Sequence, residues 1–180
     1  MSEELDVLKL VVQSLDQREI PYMITGSIAA NFYTAPRMTR DIDIVIELNA
    51  QKVDQAHEAF KDEFYVDRDM IAEAVKRQST FNIIHNETLV KVDFMVRNES
   101  EYQRIEFNRR HSVVVEEVPL SIISPEDLVI SKLFWAKGSH SEVQLNDVRN
   151  ILEDVTDIDK GYLEKWVGEL GLEDVYQEVS

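Results

Sequence analysis

ITGSIAANFYTAPRMTRDIDIVI, residues 24–46, sets a Gly-Ser pair thirteen residues ahead of an Asp-Ile-Asp triplet. The run Tyr22 to Thr25 reads as a short strand that stops at Gly26. Ser27 to Tyr33 reads as a short helix, and Thr34 to Arg40, which holds Pro36, as a loop. Asp41 to Glu47 reads as a second strand. Successive strand side chains point to opposite faces. Asp41 and Asp43 therefore project together, about 6.5 Å apart along the strand, while Ile42, Ile44 and Ile46 supply a core face. Two carboxylates side by side repel unless a cation lies between them or one is protonated. The pair is a candidate divalent-metal site with oxygen ligands, a chemistry suited to Mg²⁺ or Mn²⁺.

The Gly-Ser pair adds an anion site. A helix that begins at a glycine presents free backbone N–H groups, and the missing side chain lets a phosphate approach closely. Ser27 adds a hydroxyl. If the end of the first strand and the start of the second share one site, those strands run antiparallel. A third acid extends the idea. In the strand read over Thr88 to Val96, alternation puts Val90, Val92, Phe94 and Val96 on one face and Lys91, Asp93 and Met95 on the other. Asp93 can then lie beside Asp41 and Asp43. Three carboxylates can hold two Mg²⁺ roughly 4 Å apart, an arrangement that activates an attacking oxygen and stabilises a leaving phosphate.

Around this centre the chain alternates helix and strand. Ser2 is positioned to cap a first helix carrying the stripe Leu5, Leu8, Val12 and Leu15. A helix is expected over about 50–62, a short strand over Phe64 to Asp67 and a helix over Asp69 to Gln78. Thr80 to Ile84 is expected to pair with the Asp93 strand through a turn at His85-Asn86-Glu87. Glu101 to Arg109 reads as helix, with Arg104, Arg109 and Arg110 as a solvated basic face. Val113 to Val118 and Leu120 to Ile123 read as strand. Ser124-Pro125-Glu126-Asp127 is a strong helix start, and Ser141-Glu142-Val143-Gln144 has the form of a capping box. Phe134 and Trp135 are expected in the core. The fold class is α+β: a mixed β-sheet core flanked by helices over residues 1–123, with a helical C-terminal part over 124–180 packed on it.

Composition limits the function classes. The chain has 180 residues, no cysteine and a formal net charge of −16. Disulfides and thiolate metal sites are excluded, and the four scattered histidines show no zinc spacing. The charge repels polyanions, so extended duplex nucleic acid is not an expected partner. No apolar run approaches membrane-spanning length, and the acidic first residues hold no signal core, so a cytoplasmic protein is expected.

The pattern of apolar residue, Gly-Ser, thirteen residues, Asp-apolar-Asp-apolar-apolar and a later strand Asp resembles the DNA polymerase β-like nucleotidyltransferase superfamily. The motif lies in Ile24 to Ile46, with the third acid in Val90 to Val96. The helical tail with Lys132 and Asp147 is similar to a small bacterial branch of abortive-infection-type toxin and antibiotic-modifying nucleotidyltransferases. By this resemblance Gly26 and Ser27 would hold the triphosphate of an NTP donor. Asp41 and Asp43 would bind both metals, Asp93 would complete the second, and Lys132 would contact phosphate. Asp147 matches a tail acid of the toxin branch, whose dense basic residues this tail lacks.

The implied reaction moves a nucleoside monophosphate from an NTP to an acceptor hydroxyl and releases pyrophosphate. The charge favours a small cationic acceptor. The alternative is a non-catalytic nucleotide- or partner-binding module with a protein partner, as in a toxin–antitoxin pair. Asp-x-Asp also opens haloacid-dehalogenase-type phosphatases and occurs in metal-dependent glycosyltransferases. There the acids end an apolar strand, whereas here they begin one.

Overall fold

The structure is a computed structural model that describes residues 3–180. The cap expected from Ser2 lies outside these residues. Helix α1 (Glu3–Asp16) buries Val7, Leu8, Val11, Val12 and Leu15 at helical spacing. It leads into β1 (Tyr22–Thr25), α2 (Gly26–Tyr33) and β2 (Asp41–Ile46). A 3₁₀ turn (Ala50–Lys52) and α3 (Val53–Phe60) form the helix expected over about 50–62. Then come β3 (Phe64–Tyr65), α4 (Arg68–Arg77), β4 (Thr80–His85), β5 (Lys91–Val96) and α5 (Glu101–Asn108). The hairpin β6 (His111–Val115) and β7 (Val118–Ile122) precedes α6 (Pro125–Ser139), α7 (Glu142–Asp154), α8 (Lys160–Glu169) and α9 (Glu173–Gln177).

Among the described residues the strands form one mixed sheet in the order β3-β4-β5-β2-β1-β7-β6. This is the expected α+β architecture of a mixed sheet flanked by helices. β1 and β2 are antiparallel, with Thr25 opposite Asp43, and β2 and β5 are parallel, with Asp43 opposite Asp93. The period-2 pattern decides the faces. Ile42, Ile44 and Ile46, with Val92, Phe94 and Val96, are buried on one side. Each such side chain contributes about 1.5–3 kcal/mol on burial. Phe94 stacks on Phe81 at 4.9 Å and meets Phe60 of α3 at 5.6 Å. The opposite face carries Asp41, Asp43, Lys91 and Asp93, and α2 and α6 lie against one another beside it.

Three local expectations are corrected. The hairpin turn falls on Glu116-Glu117, so Val118 opens β7 rather than closing β6. Both glutamates have positive φ, +47° and +69°, a turn usually marked by Asn-Gly. Ser141 precedes α7 but its side chain makes no cap bond, and Gln144, the reciprocal partner in a capping box, accepts from Lys132 Nζ at 3.0 Å instead. Arg109 and Arg110 do not form a solvated face. Arg109 donates to Asp127 Oδ2 and Glu126 Oε2, both at 2.9 Å, and lies 3.8 Å from the centre of the Tyr162 ring. Arg110 covers the Phe107 ring. No helix among the described residues is long and apolar enough to cross a membrane.

Candidate active site

The site begins where β1 ends. Gly26 takes φ +65°, and a Cβ there would sit 2.1 Å from Asp43 Oδ2. Only glycine allows α2 to start against that carboxylate. The first turn of α2 has no side-chain cap at Thr25, which leaves its N–H groups for another acceptor. Gly26→Ala combines the clash with a left-handed backbone. We expect it to cost ~2–4 kcal/mol, seen as a lower urea midpoint.

Antiparallel pairing of β1 with β2 brings this turn to Asp43, as the sequence reading required, and the β2–β5 register adds Asp93 on the same face. Asp43 is half-buried. Burial, then repulsion from Asp93 and Asp41, pushes its carboxyl up to about 6, with Lys132 and Lys91 partly offsetting the rise. Lys91, opposite Asp41 in the register, turns its ammonium between the acids. It lies 2.7 Å from Asp93 Oδ2 and 3.9 Å from Asp41 Oδ1. As the side chains stand, no group of three or more acids or histidines among the described residues encloses a metal ion.

The donor set still suits a hard divalent cation. It is all carboxylate oxygen, the acids share one face, and a cation, the Lys91 ammonium, already lies between two of them. Lys91 and a metal would compete for those oxygens. Lys91→Gln is therefore expected to tighten Mn²⁺ binding several-fold in nucleotide-free protein, as read by the loss of the free Mn²⁺ electron paramagnetic resonance signal.

Lys132 enters from α6. It is buried and donates to Asp147 Oδ2 at 2.7 Å as well as to Gln144. Burial lowers its pKa, and the Asp147 hydrogen bond partly offsets this. Asp147, on α7, also accepts from Arg37 Nε at 3.0 Å and Nη2 at 2.9 Å. Arg37 Nη2 in turn donates to Ser27 Oγ at 2.6 Å. Burial works against the Asp147 charge, but the Arg37 and Lys132 hydrogen bonds outweigh it and leave the carboxyl below its ordinary value.

The chain thus links Ser27, Arg37, Asp147 and Lys132 into one network beside the acids. Gly26, Asp43, Lys132, Gln144, Thr25, Met95, Ser131 and Trp135 line a recess of about 230 Å³. The sequence placed Arg37 only within the loop Thr34 to Arg40 and Asp147 only within the helical tail. Asp147 is buried and ion-paired, and Arg37 is its partner. Gln144 and Lys91 were not singled out. Strand alternation already put Lys91 on the acidic face, but nothing in the sequence announced the others. Phe134 and Trp135 are not core residues. They are 61% and 59% exposed, and Trp135 lines the recess.

No protein-family model matches the sequence, and no curated protein matches it. Solved structures do share its fold. An antigenic nucleotidyltransferase-like protein from Paracoccidioides brasiliensis aligns with TM-score 0.57 at 21% identity, over 82% of this chain and 72% of its own. The lincosamide antibiotic adenylyltransferase LnuA, solved with lincomycin bound, aligns with TM-score 0.57 at 15% identity, over 86% and 98%. The antibiotic-resistance factor ANT(2'')-Ia, solved in solution, aligns with TM-score 0.63 at 11% identity, over 97% and 95%. At these identities the likeness is one of fold. With its mixed sheet, its glycine turn and its paired acidic strands, the chain shares the fold of these nucleotidyltransferase-like and adenylyltransferase structures.

Proposed function

We propose that the chain transfers a nucleoside monophosphate from an NTP to the hydroxyl of a small acceptor. The observation that carries this reading is the contact of Gly26 with Asp43, itself in register with Asp93. A phosphate held on the N–H groups that follow Gly26 would abut a carboxylate face. Gly26 and the α2 N–H groups would cradle the triphosphate, and Ser27, held by Arg37, would donate to it. Asp41, Asp43 and Asp93 would hold Mg²⁺ or Mn²⁺. When bound, the metal supplies charge neutralisation of the triphosphate and a lower pKa at the acceptor hydroxyl.

The acceptor oxygen forms a bond to the α-phosphorus. The bond from that phosphorus to the bridging oxygen breaks, and pyrophosphate leaves with the electron pair. The hydroxyl proton passes to Asp93, which must first release Lys91. Lys132 and Arg37 place positive charge beside the leaving phosphates. Catalysis of this kind rests on positioning and electrostatics. The names of the neighbours, one an antibiotic adenylyltransferase solved with lincomycin and one an antibiotic-resistance factor, favour ATP as donor and a small-molecule acceptor.

A second reading, a nucleotide-binding module without turnover, draws on the Lys91 ion pairs, which occupy two of the three acids. Incubation with each α-³²P-labelled NTP, Mg²⁺ and a pool of small hydroxylated acceptors separates the two. The transfer reading expects labelled product from wild type and none from Asp41→Ala. Equal signal from both, or tight NTP binding with no product in any pool, overturns it.

A further inference from the structure

The sheet has two open edges, and they differ in length. At one, β3 is two residues long, and an edge that short offers little to pair with. At the other, β6 has five residues and among the described strands pairs only with β7. Natural edge strands are commonly blunted by a lysine, a proline or a bulge. β6 has none of these: it reads His-Ser-Val-Val-Val and runs in unbroken register with β7. Ser112 and Val114 are exposed, Val114 at 70%.

The hairpin decides which backbone groups point outward. Its two-residue turn at Glu116-Glu117 makes Val115 and Val118 a hydrogen-bonded pair. Antiparallel ladders alternate such pairs with pairs that exchange no bond, so Val113 and His111 also bond to β7, whereas Ser112 and Val114 do not. Pro119, which has no N–H, stands opposite Val114, in keeping with this. The N–H and C=O groups of Ser112 and Val114 therefore face away from β7.

The two ends of β6 carry opposite charge. Residues 109–117 read Arg-Arg-His-Ser-Val-Val-Val-Glu-Glu. Laid antiparallel on itself about Val113, this segment sets Ser112 against Val114, His111 against Val115 and Arg110 against Glu116. Outward backbone groups then meet outward backbone groups, and cations meet anions. Arg110 makes no ion pair with any described residue; its guanidinium donates to the Phe107 carbonyl and covers that ring. Glu116 is exposed at the edge, held by Lys9 of α1. Two arginines balance two glutamates here, in a chain of net charge −16. This neutral stretch escapes the repulsion that the rest of the surface imposes on a second copy.

We propose that a second copy of this chain pairs with the first, β6 to β6 and antiparallel, about a two-fold axis at Val113, so that one sheet runs through both copies. The Ser112 N–H of each copy donates to the Val114 carbonyl of the other, and the Val114 N–H to the Ser112 carbonyl. The Val113 side chains meet across the axis, at a pair without hydrogen bonds, where facing residues come closest. Arg110 of each copy faces Glu116 of the other. This pairing does not depend on nucleotide or on the transfer reading.

Sedimentation velocity of the full chain from micromolar to submillimolar concentration tests it. Wild type should show a monomer–dimer equilibrium. Val114→Pro should weaken it by about tenfold or more, since each dimer loses two hydrogen-bond donors. The N–H removed is one that β7 does not use, and a circular-dichroism melt checks that the fold is kept. The chain has no cysteine, so a single introduced thiol reports the register. Val113→Cys should form a disulfide dimer under mild oxidation, because facing residues at such a pair have Cα atoms ~4.5 Å apart, within disulfide range. Val115→Cys should not, since its two copies would lie roughly 13 Å apart along the strands.

A wild-type chain that stays monomeric throughout overturns the proposal. So does a dimer that a folded Val114→Pro leaves intact, the absence of a cross-link in Val113→Cys, or a cross-link in Val115→Cys that forms as readily. The two cysteine variants decide between the outcomes if Val114→Pro does not fold.

Discussion

Asp43→Asn is expected to lower nucleotidyl transfer by roughly 10³-fold while making the nucleotide-free protein more stable at neutral pH. The two effects share one cause. Asp43 sits half-buried against Gly26, facing Asp93 with Asp41 nearby, and its carboxyl is pushed up to about 6 from 3.8. A raised carboxyl pKa means that the folded state holds the proton more tightly than the unfolded one. The associated stability is full below about pH 3.8 and is lost as pH rises through about 6. At pH 7 the folded chain therefore carries the cost of an ionised Asp43, ~1–3 kcal/mol after allowance for its partial exposure. Asparagine keeps the shape and removes the charge. Thermal melts at pH 4 and pH 7 check this: the variant's advantage should appear at pH 7 and vanish at pH 4. A stabilised but inactive variant identifies a residue placed for chemistry rather than for folding.

Asp147→Ala is expected to destabilise the protein by about 3–5 kcal/mol, because it strips the partner from a buried ammonium. Lys132 is 2% exposed and has only Gln144 left when Asp147 is removed. Arg37 loses both of its hydrogen bonds to the carboxylate and with them its fixed approach to Ser27. Transfer should fall together with stability, since one network orients both the cationic groups and the Ser27 hydroxyl. The pH dependence has the opposite sign to that of Asp43. Asp147 is held below 3.8 in the folded state. Its stabilisation is present above that value and is lost as pH falls through the lowered one. Urea unfolding of wild type at pH 7 and pH 3 should show the loss, and the variant should lack that part of the slope. A midpoint within 0.5 kcal/mol of wild type, the range typical of surface substitutions, would contradict the buried network.

The two predictions separate what local pattern dictates from what tertiary contact dictates. The acidic face was legible because strand periodicity allows no other placement. Once Ile42, Ile44 and Ile46 face the core, Asp41 and Asp43 face away, and the same logic applies to Asp93 and Lys91. Gly26 was legible as a turn residue. Its deeper reason, an Asp43 oxygen where a Cβ would be, exists only after β1 and β2 pair. Lys91 shows the same limit: its face followed from alternation, but its position between Asp41 and Asp93 needs the interstrand register.

Arg37 and Asp147 are 110 residues apart, and no periodicity joins them. Phe134 and Trp135 misled because α6 is apolar on several sides, so its sequence does not say which side meets solvent. The Glu116-Glu117 turn lacks the asparagine or glycine that would have announced it. Glu106, on a helix that otherwise reads as amphipathic, gave no sign of being buried.

The central claim is that the glycine turn and the acidic face form one metal–nucleotide site. A crystal structure with a non-hydrolysable ATP analogue and Mn²⁺ tests it most directly. The account predicts anomalous density for Mn²⁺ at Asp41 and Asp43, triphosphate oxygens on the N–H groups after Gly26, and the Lys91 ammonium moved off Asp41. Nucleotide bound away from Gly26, or Mn²⁺ absent from the aspartates while nucleotide is present, would contradict it.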